Sequence, residues 1–121
     1  MINSVGLQNP GVDAVIAHEL PELRKIFRKP IVANISGFSI DEYAECCQKI
    51  DKEEQVAIIE VNVSCPNVHN GGMSFGTQPE MAAEVTRAVK GQWQCAYGCV
   101  ETSGRVLLDG YCRALGYDLR G

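Results

Sequence analysis

Residues 56–67 read Val56-Ala57-Ile58-Ile59-Glu60-Val61-Asn62-Val63-Ser64-Cys65-Pro66-Asn67, an apolar run that ends in amides, a hydroxyl and a thiol. The apolar part is typical of a strand buried on both faces of a parallel sheet. Pro66 predicts the end of the strand, because proline cannot donate a hydrogen bond to a neighbouring strand. A strand that brings reactive groups to its carboxyl end indicates an active site there.

The rest of the chain alternates helices and strands around this run. A loop rich in Gly, Asn and Pro at 1–11 precedes a helical pattern over 12–27, and 30–34 is a second apolar run typical of a buried strand. Capping-box spacing at 39–42 and 77–80 predicts the start of two further helices. This order predicts right-handed βαβ units and a parallel sheet, an α/β fold.

The two predicted strands share a pattern, because 31–36 and 59–64 both end in Asn-x-Ser. Side chains alternate between the two faces of a strand. One face of the second strand should therefore be polar and suit a barrel lumen or a ligand, with Ile58, Glu60, Asn62 and Ser64. The other should pack against helices, with Ile59, Val61, Val63 and Cys65. Asn34 and Asn62 should then lie at the carboxyl ends of neighbouring strands, where parallel α/β folds bind ligands.

Composition limits the possible classes of protein. The 121 residues can form at most one domain, and they are fewer than the roughly 250 of a full (β/α)₈ barrel. A net charge of −4 without clustered Lys or Arg argues against a nucleic-acid or anionic-membrane partner. No stretch resembles a membrane span or a signal peptide, so we expect a cytoplasmic protein. Its six cysteines are then expected to be free thiols.

Each candidate residue also has a simpler interpretation. The two Asn-x-Ser sequences are glycosylation sequons, although a cytoplasmic chain would not be glycosylated. Asn34 alone could be a turn former, and Cys65 alone could be a buried structural thiol. His18 and His69 have no acidic or Cys partners at ligand spacing, so no metal site is predicted. The combination of residues, rather than any one of them, favours a functional site.

Three motifs together resemble the class 1 dihydroorotate dehydrogenase catalytic subunit, especially the NAD-linked class 1B type. They are Asn3-Ser4-Val5-Gly6-Leu7-Gln8-Asn9-Pro10-Gly11, Ile31-Val32-Ala33-Asn34-Ile35-Ser36-Gly37 and Asn62-Val63-Ser64-Cys65-Pro66-Asn67-Val68. The resemblance covers 1–90 and implies a partial FMN-binding (β/α)₈ TIM barrel of about two and a half βα units. It also implies oxidation of dihydroorotate to orotate, with hydride transfer to FMN, in de novo pyrimidine (UMP) biosynthesis.

The resemblance implies a role for each matched residue. Cys65 stands where the family places the catalytic base that removes a proton from C5 of dihydroorotate. Asn62 matches a contact to both FMN and substrate, and Asn34 matches an FMN contact. The opening loop matches the substrate-binding loop, with Asn3, Ser4, Val5, Gly6 and Leu7. Cys at the base position favours class 1 over membrane-linked class 2, and Gln8 with the following residues 9–11 favours class 1B. That type implies an FAD and iron–sulfur partner subunit.

The chain also departs from the family pattern. Family strands that carry further FMN contacts would lie upstream of Met1 and after Lys90, so the chain alone is expected to be an inactive fragment. Residues 91–121 match nothing in the family, and we hypothesise that they are a frameshifted or foreign tail. The alternative is a genuine short protein whose tail helix, around 106–115, covers the open sheet edge.

Two other functions remain open at the level of sequence. A flavin enzyme similar to dihydropyrimidine dehydrogenase shares the Asn-x-Ser-Cys-Pro core, although Asn67 and the opening loop favour dihydroorotate. The third possibility is a non-catalytic remnant that lacks a complete FMN site.

Overall fold

The computed structural model describes residues 8–63, 75 and 78–92, and the backbone of 98–101. Its elements, in chain order, are α1 (Val12–Ala14), a π-helical segment (Val15–Glu19), α2 (Leu20–Ile26), β1 (Ile31–Ile35), α3 (Ile40–Ile50), β2 (Val56–Asn62), α4 (Pro79–Gln92) and β3 (Gly98–Glu101). The predicted alternation of helices and strands is confirmed. Among the helices described, none is long and apolar enough to span a lipid bilayer.

The three strands form one parallel sheet in the order β1-β2-β3. In its register, Asn34 of β1 pairs with Glu60 of β2, and Asn62 pairs with Glu101 of β3. The parallel α/β class is therefore confirmed, whereas closure into a barrel stays a prediction. The sequence did not predict β3, which is four residues long and lies within 91–121, the part hypothesised to be a frameshifted or foreign tail.

The two faces of β2 differ as the alternation predicts. Ile59, Val61 and Val63 are 1%, 3% and 1% exposed. The opposite face is less covered, because Ile58 and Glu60 are only partly buried and the neighbouring Val32 of β1 is 53% exposed. The face assignment is confirmed for 58–63, and the predicted positions of Ser64 and Cys65 lie outside the described residues.

Helices α3 and α4 cover the apolar face of the sheet. Their buried side chains and those of the strands form one hydrophobic core, to which the two helices contribute Tyr43, Cys47, Ile50, Ala82, Ala83, Val85 and Val89. The small alanines of α4 allow its backbone to approach α3, and the Cys47 thiol lies 3.5 Å from the carbonyl oxygen of Val89. The core therefore fixes this side of the sheet and leaves the other face for the candidate site.

The first helical region, predicted over 12–27, continues through Pro21. Proline lacks an N–H group, and its ring crowds the carbonyl four residues earlier. The chain accommodates it by widening the preceding turn, so that the Leu20 N–H donates to the Val15 carbonyl, five residues back. The helix therefore widens locally but does not end.

Polar contacts hold the helices and the amino ends of the strands. Lys49 on α3 donates to Asp13 at 2.9 Å and pairs with Glu45 at 2.8 Å, and these hydrogen bonds, with Glu45 the larger cause, raise the pKa of Lys49 to about 12. The buried Gln55 carboxamide donates to the carbonyls of Phe27 and Lys29 at 2.6 and 3.1 Å. The Gln55 contacts hold the chain just before β1, and the Ile31 N–H in turn donates to the Gln55 carbonyl at 2.9 Å.

Candidate functional site

Two asparagine side chains meet at the carboxyl ends of β1 and β2. The Nδ2 of Asn62 lies 3.5 Å from the Oδ1 of Asn34, on the face of the sheet that α3 and α4 do not cover. This distance is at the upper limit for a hydrogen bond, so the contact is weak. The predicted neighbourhood of the two amides is therefore confirmed, and Asn62 is largely buried there, at 8% exposure.

The backbone of Asn62 is held from the opposite side of the sheet. The hydroxyl of Tyr43, on α3, donates to the carbonyl oxygen of Asn62 at 2.6 Å, and Tyr43 is only 2% exposed. The capping-box spacing at 39–42 predicted the helix that contains Tyr43, but no role at the site was predicted for this residue. The available signal was the hydroxyl itself, because a buried tyrosine usually requires a hydrogen-bond partner.

A capping box at the end of the loop between β1 and α3 marks the start of α3. Ser39 Oγ accepts from the Glu42 N–H at 3.2 Å, as predicted, and the Glu42 carboxylate accepts from the Phe38 N–H at 2.7 Å. A Cβ atom at Gly37 would lie 3.0 Å from the Glu42 Cβ and from the Tyr43 backbone nitrogen. This close approach explains why glycine stands at position 37, three residues after Asn34.

A cavity of about 960 Å³ borders β1 and α3, and Gln8, Asn9, Asn34 and Ser36 are among its lining residues. The chain turns sharply there, since the Gly11 N–H donates to the Asn9 side-chain oxygen at 2.9 Å and Gly11 has a φ of 90° that favours glycine. The segment that follows the predicted substrate loop is thus beside Asn34. The loop residues Asn3, Ser4, Val5, Gly6 and Leu7, and also Cys65, lie outside the described residues.

Comparison with known proteins assigns the family. The sequence model of the family described as dihydroorotate dehydrogenase matches residues 1–97. The chain belongs to the dihydroorotate dehydrogenase family. The match begins with the predicted substrate loop and includes both asparagines and Cys65, so the family resemblance of the motifs is confirmed.

Among curated dihydroorotate dehydrogenases, the chain is similar to catalytic subunits of the NAD-linked type. The chain is 52% identical over 90 residues to the "Dihydroorotate dehydrogenase B (NAD(+)), catalytic subunit" of Listeria welshimeri, and 54% identical over 90 residues to the subunit of the same name from Anoxybacillus flavithermus. The alignments cover 74% of this chain and 29% and 28% of the relatives. The predicted resemblance to the NAD-linked type is confirmed, and the chain spans less than a third of the length of these relatives.

Two of the described thiols, Cys46 and Cys47, are neighbours on α3. Burial, and secondarily the charge of Asp51, raises the pKa of the Cys47 thiol to about 12. Burial also raises the pKa of Cys46, against the opposing effect of Lys49. Neither thiol is suited to act as a base near neutral pH. Within 8–63, 75 and 78–92, no group of His, Cys, Asp and Glu side chains could hold a metal ion.

We expect Cys47 to resist alkylation in the folded chain. A rise of the pKa from about 9 to about 12 lowers the thiolate fraction by roughly three orders of magnitude at about pH 8, and the thiolate is the reactive form. Iodoacetamide labelling followed by mass spectrometry of the peptides would measure the rate at Cys47. The same labelling in urea is the control, since there the thiol should react normally. Equal rates with and without urea would contradict the buried position of Cys47.

Proposed function

We propose that this chain carries part of the FMN and dihydroorotate site of an enzyme that oxidises dihydroorotate to orotate in pyrimidine biosynthesis. The observation that carries the proposal is the meeting of the Asn34 and Asn62 carboxamides, 3.5 Å apart at the carboxyl ends of adjacent parallel strands. Ligands of parallel α/β folds bind at these strand ends. Identity of about half to NAD-linked catalytic subunits supports the choice of substrate.

The two amides fit a flavin chemically. Carboxamides donate and accept hydrogen bonds without adding charge, which suits the mixed donor and acceptor edge of a flavin ring. Their mutual contact is long and weak, so it can be exchanged for bonds to a ligand at little cost. Asn34 and Asn62 would hold FMN, and bound FMN would supply the acceptor for the hydride that leaves C6 of dihydroorotate.

The remaining roles belong to residues matched through the family motifs. Asn3, Ser4, Val5, Gly6 and Leu7 would bind dihydroorotate together with Asn62. The Cys65 thiolate would take the proton from C5, since a thiolate is the basic form of cysteine. The raised pKa values of Cys46 and Cys47 leave neither of these thiols as a rival base.

We also propose a partner subunit, a cellular location and an end for the barrel segment. An FAD and iron–sulfur subunit would carry electrons to NAD, and the curated relatives are themselves named catalytic subunits. The complex would work in the cytoplasm. Residues 1–90 would be the barrel segment and 91–121 a frameshifted or foreign tail. Sequencing the coding DNA tests the boundary, because another reading frame should then restore the family pattern.

Binding of FMN to the purified chain tests the site. We expect quenching of FMN fluorescence on titration with the chain, and a Kd about tenfold higher for Asn62→Ala, because a lost buried hydrogen bond costs about 1.4 kcal/mol. Asn34→Ala should weaken binding in the same direction. Gln48→Ala, an exposed amide on α3, is the matched control and should leave the Kd unchanged. An unchanged Kd for Asn62→Ala would contradict the proposed site, and a wild-type chain that does not bind FMN would favour the non-catalytic remnant.

A further inference from the structure

Tyr43 connects the helical layer to the candidate site through the backbone of Asn62. We propose that Tyr43 is a positioning residue, which fixes the direction in which the Asn62 carboxamide leaves β2. The meaning of this orientation for FMN rests on the proposed function above, whereas the orientation itself can be measured without any ligand.

A hydrogen bond from Tyr43 restrains the end of β2. The Tyr43 hydroxyl donates to the carbonyl oxygen of Asn62 at 2.6 Å, in the core between sheet and helices. Asn62 is the last residue of β2, where the ladder of the sheet ends. The Asn62 side chain reaches Asn34 on the face opposite α3 and α4. Because the carbonyl and the side chain belong to one residue, a restraint on the carbonyl from one face limits the orientation of the carboxamide on the other.

Tyr43 is itself held in place by several contacts. It lies in the first turn of α3, and its N–H donates to the Ser39 carbonyl at 3.2 Å, directly behind the capping box. Its ring meets the ring of Phe75 edge to face, with centroids 5.6 Å apart and planes at 88°. A side chain held at its backbone, at its ring and at its hydroxyl can transmit a position to the residue that it touches.

The backbone that follows Asn34 also approaches Tyr43. Asn34 is the penultimate residue of β1. The chain after it passes Gly37, where a Cβ atom would lie 3.0 Å from the Tyr43 backbone nitrogen, so a side chain there would require a shift. Both partners of the 3.5 Å amide contact are thus connected to Tyr43, Asn62 by a hydrogen bond and Asn34 by three residues of backbone. The relative placement of the amides therefore depends on where α3 begins.

Nuclear magnetic resonance of the full chain without ligand tests the proposal. Tyr43→Phe keeps the ring and its contact with Phe75 but removes the hydroxyl. We expect the side-chain amide signals of Asn62 to shift, because the backbone carbonyl of the same residue loses its bond to the Tyr43 hydroxyl. The control is Val89→Ala, which perturbs the same core through α4, away from Asn62. Unchanged Asn62 signals in Tyr43→Phe, with only a lower melting temperature, would overturn the proposal.

A second variant and a ligand measurement separate positioning from packing. Phe75→Leu removes the ring contact and keeps the hydroxyl, so it should disturb the Asn62 signals less than Tyr43→Phe does. With FMN, Tyr43→Phe should raise the Kd about fivefold at a temperature where all variants are folded, and Val89→Ala should not. A Kd raised equally by both variants would indicate general loosening and contradict a positioning role. If the wild-type chain does not bind FMN, the proposed function fails, and the ligand-free spectra still decide the role of Tyr43.

Discussion

Replacing Cys65 with alanine should abolish dihydroorotate oxidation and leave flavin binding intact. Loss of a positioned general base typically lowers a rate by about 10²–10⁴-fold. Alanine has no group that can take the C5 proton, whereas the proposed FMN contacts come from Asn34 and Asn62 and are unaffected. The measurement is anaerobic bleaching of the flavin by dihydroorotate. The bleaching would be measured on a chimera, the Listeria welshimeri catalytic subunit in which residues 1–90 of this chain replace the aligned segment.

The control for this variant is another cysteine of the same chain. Cys46→Ala removes a thiol whose pKa burial raises, so the chimera should keep its rate. Cys65→Ser should retain a part of the activity, because a hydroxyl can accept the proton, although less readily than a thiolate. A Cys65→Ala chimera that bleaches as fast as the unmodified chimera would contradict the role of Cys65 as base. An inactive chimera that nevertheless binds FMN would contradict the assignment of dihydroorotate as substrate.

The sequence predicted those features that depend on local rules. Alternation along a strand is enough to separate Ile59 from Ile58, and parallel pairing is enough to bring Asn34 beside Asn62. The capping box at Ser39 is equally local, since it involves residues within one turn. These rules apply to each segment separately, and their agreement explains why the predicted order of elements is confirmed.

Features that depend on how particular side chains and short segments pack were not predicted. The bond from Tyr43 to Asn62 joins residues 19 positions apart, and no local pattern distinguishes this tyrosine from a purely apolar core residue. Strand β3 has only four residues, and its pairing with β2 rather than its composition defines it. The π-helical turn before Pro21 is a compromise between a proline and the helix on either side of it. In each case tertiary packing, which sequence periodicity does not contain, selects the outcome.

Ile59→Ala should strongly destabilise the fold. Ile59 is 1% exposed and among the largest fully buried side chains of the described core, between the sheet and the covering helices. Truncation of a buried isoleucine to alanine typically costs about 2–5 kcal/mol, from lost transfer free energy and from the cavity that remains. Because small domains are stable by only about 5–15 kcal/mol, much of the stability should disappear. Urea unfolding followed by circular dichroism measures the difference in the free energy of unfolding.

Ile58→Ala is the matched control, since it makes the same chemical change one residue earlier on the opposite face. Ile58 is partly exposed, and its register partner Val32 is 53% exposed, so its truncation should cost about 1 kcal/mol or less. The ratio of the two effects therefore measures how unequally the faces of β2 are covered. Equal losses would mean that the face carrying Asn34 and Asn62 is as closely packed as the core, which would leave no room there for a flavin and would contradict the proposed site.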